Sequence, residues 1–201
     1  MRIPSIGGSL SAGFAAALAL AGCATAPESQ VTRFHLGQPI ARGQIAVEPL
    51  FPADRGSVEF QTYSSIVGSE LARLGFTEAP GLAQSEQVAV VGVERGTRET
   101  LRRRSPVTIG IGGGSFGWGG GVGGGISFPI GSSRRGNEIV ATRLFVQIKR
   151  RSDGTVIWEG RAETAAASGS PAAQPSDSVQ RLASAMFRDF PGQTGQTITV
   201  K

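Results

Sequence analysis

The chain contains one cysteine, one histidine and one tyrosine, and only two of its twenty basic residues are lysines. A single cysteine, Cys23, excludes an internal disulfide and a cysteine-rich metal site. A single histidine, His35, has no Ser or Cys motif beside it, which removes most histidine-dependent nucleophilic catalysis and leaves it a structural or surface residue. Long apolar runs are missing too. Gly7, Gly8, Ser9, Ser11 and Gly13 dilute the N-terminal apolar stretch, which falls short of the roughly 20 consecutive apolar residues that a membrane-spanning helix needs.

Glycine and arginine are abundant instead. The 201 residues fit one domain of ordinary size. They hold 30 glycines, twelve of them between Ser105 and Ser133. The net charge of +5 is unevenly spread: Glu94 to Arg151 carries eleven Lys or Arg against three acids, and the rest nine against twelve. Arginine suits carboxylate and phosphate partners through its planar fork, so the basic middle of the chain points to an anionic partner.

The first residues have the plan of a secretory leader. Arg2 is followed by an apolar stretch that closes in Phe14-Ala15-Ala16-Ala17-Leu18-Ala19-Leu20, then by small residues up to Cys23. Leu20-Ala21-Gly22-Cys23 resembles the bacterial lipobox. The resemblance implies that residues 1–22 are removed as a signal peptide and that the Cys23 thiol carries a diacylglycerol. Each buried methylene adds about 0.8 kcal/mol of membrane affinity, so several acyl chains make a lasting anchor. Ala24, rather than Asp, follows the cysteine, which in the lipoprotein sorting pattern implies the outer membrane. Residues 23–30, with Pro27 and no periodicity, are expected to form a lipidated tether.

Residues 31–201 are expected to form a single periplasmic domain. Val31 to Leu36 and Gln44 to Glu48 alternate like strands, and Gln87 to Glu94 is β-branched enough for a buried one that runs on toward Thr100. In Glu138 to Arg150, Leu144, Val146 and Ile148 alternate with Phe145, Gln147 and Lys149, which makes one face the more apolar. Asp153-Gly154 then predicts a tight hairpin into Thr155 to Thr164. Tyr63, Ile66, Val67, Leu71 and Leu74 fall at helical spacing, with Ser57 as N-cap and Gly75 as stop. Val179, Leu182, Met186 and Phe190 line a second helical face, capped by Ser176 or Asp177 and ended by Pro191-Gly192. Thr197 to Val200 adds a last short strand. The expected class is α+β, a mainly antiparallel sheet with two helices plus a long Gly-rich hairpin loop.

Thr155-Val156-Ile157-Trp158-Glu159-Gly160-Arg161-Ala162 after an Asp-Gly turn, and Met186-Phe187-Arg188-Asp189-Phe190-Pro191 at the end of the last helix, resemble envelope lipoproteins carrying domain of unknown function 4136. The resemblance covers most of the chain after Cys23. It implies a lipoprotein with an α+β domain, and neither an established activity nor catalytic residues.

The uncharged insertion 105–133 invites comparison with a phosphate-cradling loop. It lacks the Lys and Ser/Thr that must follow the last glycine of a Walker loop, and no helix opens there for a dinucleotide fold. No cofactor is therefore expected. As a flexible excursion between two strands the segment needs no further role. A second reading follows if Gln87 to Arg104 pairs with Arg134 to Arg150. Arg102, Arg103, Arg104, Arg134 and Arg135 would then gather at the base of the loop, where like charges repel unless an anion screens them. Phe116, Trp118 and Phe128 on the tip are aromatics of the kind found at membrane interfaces. These eight residues form the candidate contact with an anionic lipid or an acidic envelope protein. Glu159, Arg161 and Glu163 share one strand face, where a solvated charge ladder is the simpler account than an acid/base set, and Trp158 alternates onto the core side.

The expected function is that of a lipid-anchored outer-membrane lipoprotein facing the periplasm, a binding or structural component rather than an enzyme. No metal site and no nucleic-acid partner is expected. The alternatives are a subunit of an envelope assembly and a periplasmic enzyme of unrecognised type.

Overall fold

The computed structural model describes residues 26–79, 85–97, 108–111, 114–117 and 138–201, with backbone alone for 108–111 and 114–117. Alternating and β-branched segments form β1 (Ser29–His35), β2 (Gln44–Pro49), β3 (Thr77–Glu78), β4 (Gln87–Thr97), β5 (Thr108–Ile111), β6 (Gly114–Gly117), β7 (Ile139–Arg150), β8 (Val156–Ala167) and β9 (Thr197–Val200). Seven of them make one sheet in the order β3-β2-β4-β7-β8-β1-β9, and β5 pairs with β6 in a second, two-stranded sheet.

The sheet is mixed, which corrects the expectation of a mainly antiparallel one. β2 runs parallel to both β3 and β4, whereas β4, β7, β8, β1 and β9 are antiparallel in succession. The cause is α1 (Val58–Arg73), which lies between β2 and β3 in the chain. A helix carries the chain back to the end of the sheet where the preceding strand began, so the next strand must run parallel to it. The expectation of α+β with two helices stands.

α1 begins where Ser57 Oγ accepts the Phe60 N–H at 3.0 Å. It buries Tyr63, Val67, Glu70 and Leu71 along one stripe. It ends at Gly75, whose φ of +92° allows the Phe76 N–H to reach Leu71 O at 3.1 Å. The second helix, α2 (Pro175–Phe187), starts earlier than the expected Ser176 or Asp177 cap. Pro175 opens the helix, its ring presetting φ where no N–H is needed, and Gln174 is the N-cap without a side-chain bond.

Cross-strand register puts Ala89, Val91, Leu144, Val146, Ile148, Trp158, Ala162 and Val31 on the face that meets α1 and α2. Trp158 is fully buried, as expected of a core anchor, and stacks on Phe187 at 5.5 Å between centroids. Its indole N–H donates to Pro191 O at 3.0 Å. The opposite face of β7 is also buried at Phe145 and Gln147, so the strand is less one-sided than its alternation suggested.

The β7–β8 connection is wider than a two-residue hairpin. Arg150 N–H bonds Thr155 O at 2.9 Å, and Gly154 alone takes positive φ, at +69°. Asp153 instead uses its carboxylate, accepting the Thr155 N–H at 3.0 Å and an Arg150 N–H at 2.7 Å.

Candidate functional site

Cys23, Arg102, Arg103, Arg104, Trp118, Phe128, Arg134 and Arg135 lie outside the described residues, and Phe116 is described only as backbone in β6. What the structure does place is the pair of strands leading into and out of that segment. β4 and β7 are in unbroken antiparallel register from Gln87↔Arg150 to Thr97↔Val140.

The carboxylates and guanidinium groups of β8 form a ladder on the face away from the helices. Glu163 accepts from Arg143 at 2.8 Å, and Glu159 meets Arg161 at 2.5 Å and Gln147 Nε2 at 2.8 Å. The ladder is not a solvated one, because Glu159 is only 7% exposed. Burial holds the nearby Lys149 ammonium below the usual lysine range, and the carboxylates of Glu48 and Glu159 partly oppose that shift.

His35 has a structural placement. The Gly37 N–H donates to Nδ1 at 3.1 Å, so the ring proton sits on Nε2 and faces Gly192 O, also at 3.1 Å. These bonds fix the start of the loop from Leu36 to Ala41.

That loop walls a cavity of about 610 Å³ at the end of the sheet where β1 and β7 finish and β4 begins. Its apolar part comes from Leu36, Pro39, Ile40, Ala41 and Ile157. Its polar part comes from Gln38, Ser85, Glu86, Gln87 and the turn Arg150–Ser152. Ile157 is available because β8 carries one residue more than β7 between the pairs Ile148↔Trp158 and Lys149↔Val156. Such a bulge re-aims a side chain, here toward the core side.

Two arginines of the rim are already neutralised. Arg150 meets Asp153 at 2.7 Å, and Arg151 meets Glu48 at 2.7 Å while donating to Ser85 O at 3.0 Å. Gln87 Nε2 donates to Ala41 O at 3.0 Å, but its Oε1 is buried without a hydrogen-bond partner. Sequence reasoning missed this site, since its walls come from four separate segments and no motif joins them. Among the described residues no group of His, Cys, Asp and Glu is arranged to hold a metal. No helix among them is long and apolar enough to cross a membrane.

The seven-stranded sheet and the two helices packed on it define an α+β domain. Its sequence from 48 to 192 matches the family described as Domain of unknown function (DUF4136), and the chain belongs to that family. It is 34% identical to an uncharacterized protein of Zymomonas mobilis, over 94% of this chain and 84% of the relative. Among solved structures it is similar to a PelC dodecamer from Paraburkholderia phytofirmans, with 16% identity, a TM-score of 0.44, and 79% of this chain and 94% of that one covered. A PDZ domain protein from Parabacteroides distasonis matches with 12% identity and a TM-score of 0.49, over 87% of this chain and 39% of that one.

Proposed function

We propose that the chain is a lipid-anchored outer-membrane lipoprotein, a non-catalytic binding or structural component of the envelope that faces the periplasm. The observation that carries this reading is Leu20-Ala21-Gly22-Cys23 at the end of a leader-like segment. The start of the fold supports it. Thr164 Oγ1 donates to Glu28 O at 2.9 Å and β1 begins at Ser29, so ordered structure starts within a few residues of Cys23. At about 3.3–3.6 Å per residue, the short link between them holds the domain close to the bilayer.

The register adds an orientation. Ser29 pairs with Thr164, Thr164 with Thr142, and Thr142 with Arg95. The start of β1 therefore shares one end of the sheet with Thr97 and Ile139, the strand ends that flank the Gly-rich segment. An anchor at Cys23 puts the strand ends Thr97 and Ile139 toward the membrane, which favours anionic lipid headgroups as the contact of the segment between them and leaves the cavity at the far end.

The anchor is tested by growing cells with labelled palmitate. The wild-type chain is expected to incorporate label and fractionate with the outer membrane, and Cys23→Ser to do neither; an unlabelled wild-type chain overturns the reading. The contact is tested by flotation of the Cys23→Ser chain with vesicles rich in phosphatidylglycerol. Replacing Arg102, Arg103, Arg104, Arg134 and Arg135 by Gln is expected to abolish co-flotation. Unchanged flotation, or a photocrosslink from position 118 to a protein in whole cells, rejects the lipid contact.

A further inference from the structure

We propose that His35 is a pH-sensitive latch on the loop from Leu36 to Ala41: the neutral ring holds that wall of the cavity in place, and the doubly protonated ring releases it. This device is separate from the anchored role proposed above and does not depend on where the chain resides.

The two ring nitrogens have opposite duties. Nδ1 accepts the Gly37 N–H at 3.1 Å, and Nε2 directs the ring's one proton at Gly192 O, also at 3.1 Å. A second proton has only Nδ1 to go to. Its N–H would then face the Gly37 N–H across the same distance, two donors with no acceptor between them. The bond to Gly192 responds the other way, because an imidazolium N–H donates more strongly than a neutral one. The His35 backbone N–H also keeps its bond to Thr194 Oγ1 at 3.2 Å. Protonation therefore leaves the ring on the segment after α2 and lets go of the loop.

Little else holds this end of the loop. Its far end is fastened, since Ala41 O accepts from Gln87 Nε2 and Ile40 O from Arg42, each at 3.0 Å. Among the described residues no second hydrogen bond holds the backbone of Gly37, Gln38 or Pro39. Gly37, at a φ of +73°, has open space around it. Leu36 lines the cavity yet is 57% exposed, so packing restrains it only weakly. Loss of the Nδ1 bond thus frees Leu36 to Pro39 and opens the cavity on that side.

Among the described residues, the charged groups around the ring are Arg33 on β1, Arg188 and Asp189 after α2, and Arg42, whose guanidinium lies over the Phe190 ring. From β8 the residue paired with His35 is the uncharged Trp158, and Glu159 and Arg161 lie on the other face of the sheet. Carboxylates ordinarily titrate at about 4 and guanidinium groups above about 12, whereas histidine changes charge between about pH 5 and about pH 8. A transition in that window belongs to the ring.

The test is amide-resolved NMR of the full chain carrying Cys23→Ser, followed from about pH 8 to about pH 5. His35 is the single histidine, so its ring signals report protonation directly. Protection of the Gly37 amide against solvent exchange, corrected for the intrinsic pH dependence of exchange, is expected to fall about tenfold as the ring charges, as loss of one hydrogen bond implies. The amides of β7 and β8 should keep theirs. His35→Asn puts Oδ1 where Nδ1 stands, an acceptor at every pH, and should keep Gly37 protected throughout. His35→Gln reaches toward Gly192 but offers no acceptor at that place, and should leave Gly37 unprotected throughout. A ring that stays neutral down to about pH 5, Gly37 protection that does not follow ring protonation, or a His35→Asn chain that loses it on acidification as the wild type does, overturns the proposal.

Discussion

Ser184 Oγ donates to Glu70 Oε1 at 2.6 Å, and through that bond α2 is tied to α1 across the helix layer. The same carboxylate oxygen accepts from Gln180 Nε2 at 3.1 Å and from Arg73 at 3.0 Å, and Glu70 is 6% exposed. Glu70→Ala leaves the Ser184 and Gln180 donors without this acceptor, and a loss of about 1–3 kcal/mol is expected in urea unfolding. The double variant with Ser184→Ala should lose less than the sum of the two single changes, because the pair acts together.

Gly160 and Gly68 should respond to alanine in opposite directions. A Cβ at Gly160 would run into the Trp158 ring and lie 2.7 Å from Met186 Sδ. Gly160→Ala is therefore expected to destabilise by about 1–3 kcal/mol through overpacking. Gly68 lies within α1 with open space around it. There Gly68→Ala should stabilise by roughly 0.5–1 kcal/mol through helix propensity. Thermal melts of the two variants check both signs.

Arg33 is a buried cation at the C-terminal end of α2. It donates to Met186 O at 2.8 Å and Ala185 O at 2.9 Å, and desolvation holds its pKa below the usual arginine value, with the Asp189 carboxylate opposing the shift. Arg33→Lys keeps the charge but loses the fork that reaches both carbonyls, and a loss of about 1–3 kcal/mol is expected. Gly192→Ala should be similarly harmful. Its Cβ would lie 2.6 Å from the Arg33 side chain at a φ of +79°, whereas Gly154 at +69° has open space and should suffer from strain alone.

Stability should depend on pH through Asp153 and Lys149, with opposite signs for the charged form. The Thr155 backbone N–H, followed by Arg150, lowers the Asp153 pKa below its ordinary 3.8. Its contribution is present above that value and lost as pH falls through the folded pKa, so Asp153→Asn should flatten the acid limb of a stability profile. Lys149 is lowered from 10.5 by burial, so the unfolded chain binds its proton more tightly. Stability should therefore rise with pH between the folded and unfolded pKa, and Lys149→Met should remove that rise. Urea midpoints measured from acid to alkaline pH test both.

Local signals were legible where a single segment supplies all the physics. The α1 stripe with its Ser57 cap and Gly75 stop, the central strands, the short β9 and the core position of Trp158 each follow from spacing or residue type within a few positions. The family was legible for a related reason, since the segments that carry the resemblance, in β8 and at the end of α2, are short and continuous and lie inside the matched residues 48–192. The α2 cap was missed because Pro175 competes with Ser176 and Asp177 for the first turn, and preset backbone geometry prevailed over a side-chain bond.

Strand direction and the cavity were decided by tertiary structure. Alternation in β2 and β4 is the same whether the strands run parallel or antiparallel; the return of the chain through α1 makes β3 parallel to β2, and a second return after β3 makes β4 parallel to it as well. The cavity needs Leu36–Ala41, Ser85–Gln87, Arg150–Ser152 and a bulged Ile157 at one end of the sheet, and no local pattern brings them together. By itself the sequence determined the leader-like start, the lipobox resemblance, the helical faces and the strand segments, because those reside in covalent order and local periodicity. The three-dimensional packing determined which strands are neighbours, that Glu159 and Glu70 are buried, and which polar groups are left without partners, because those depend on contacts between residues far apart in the chain.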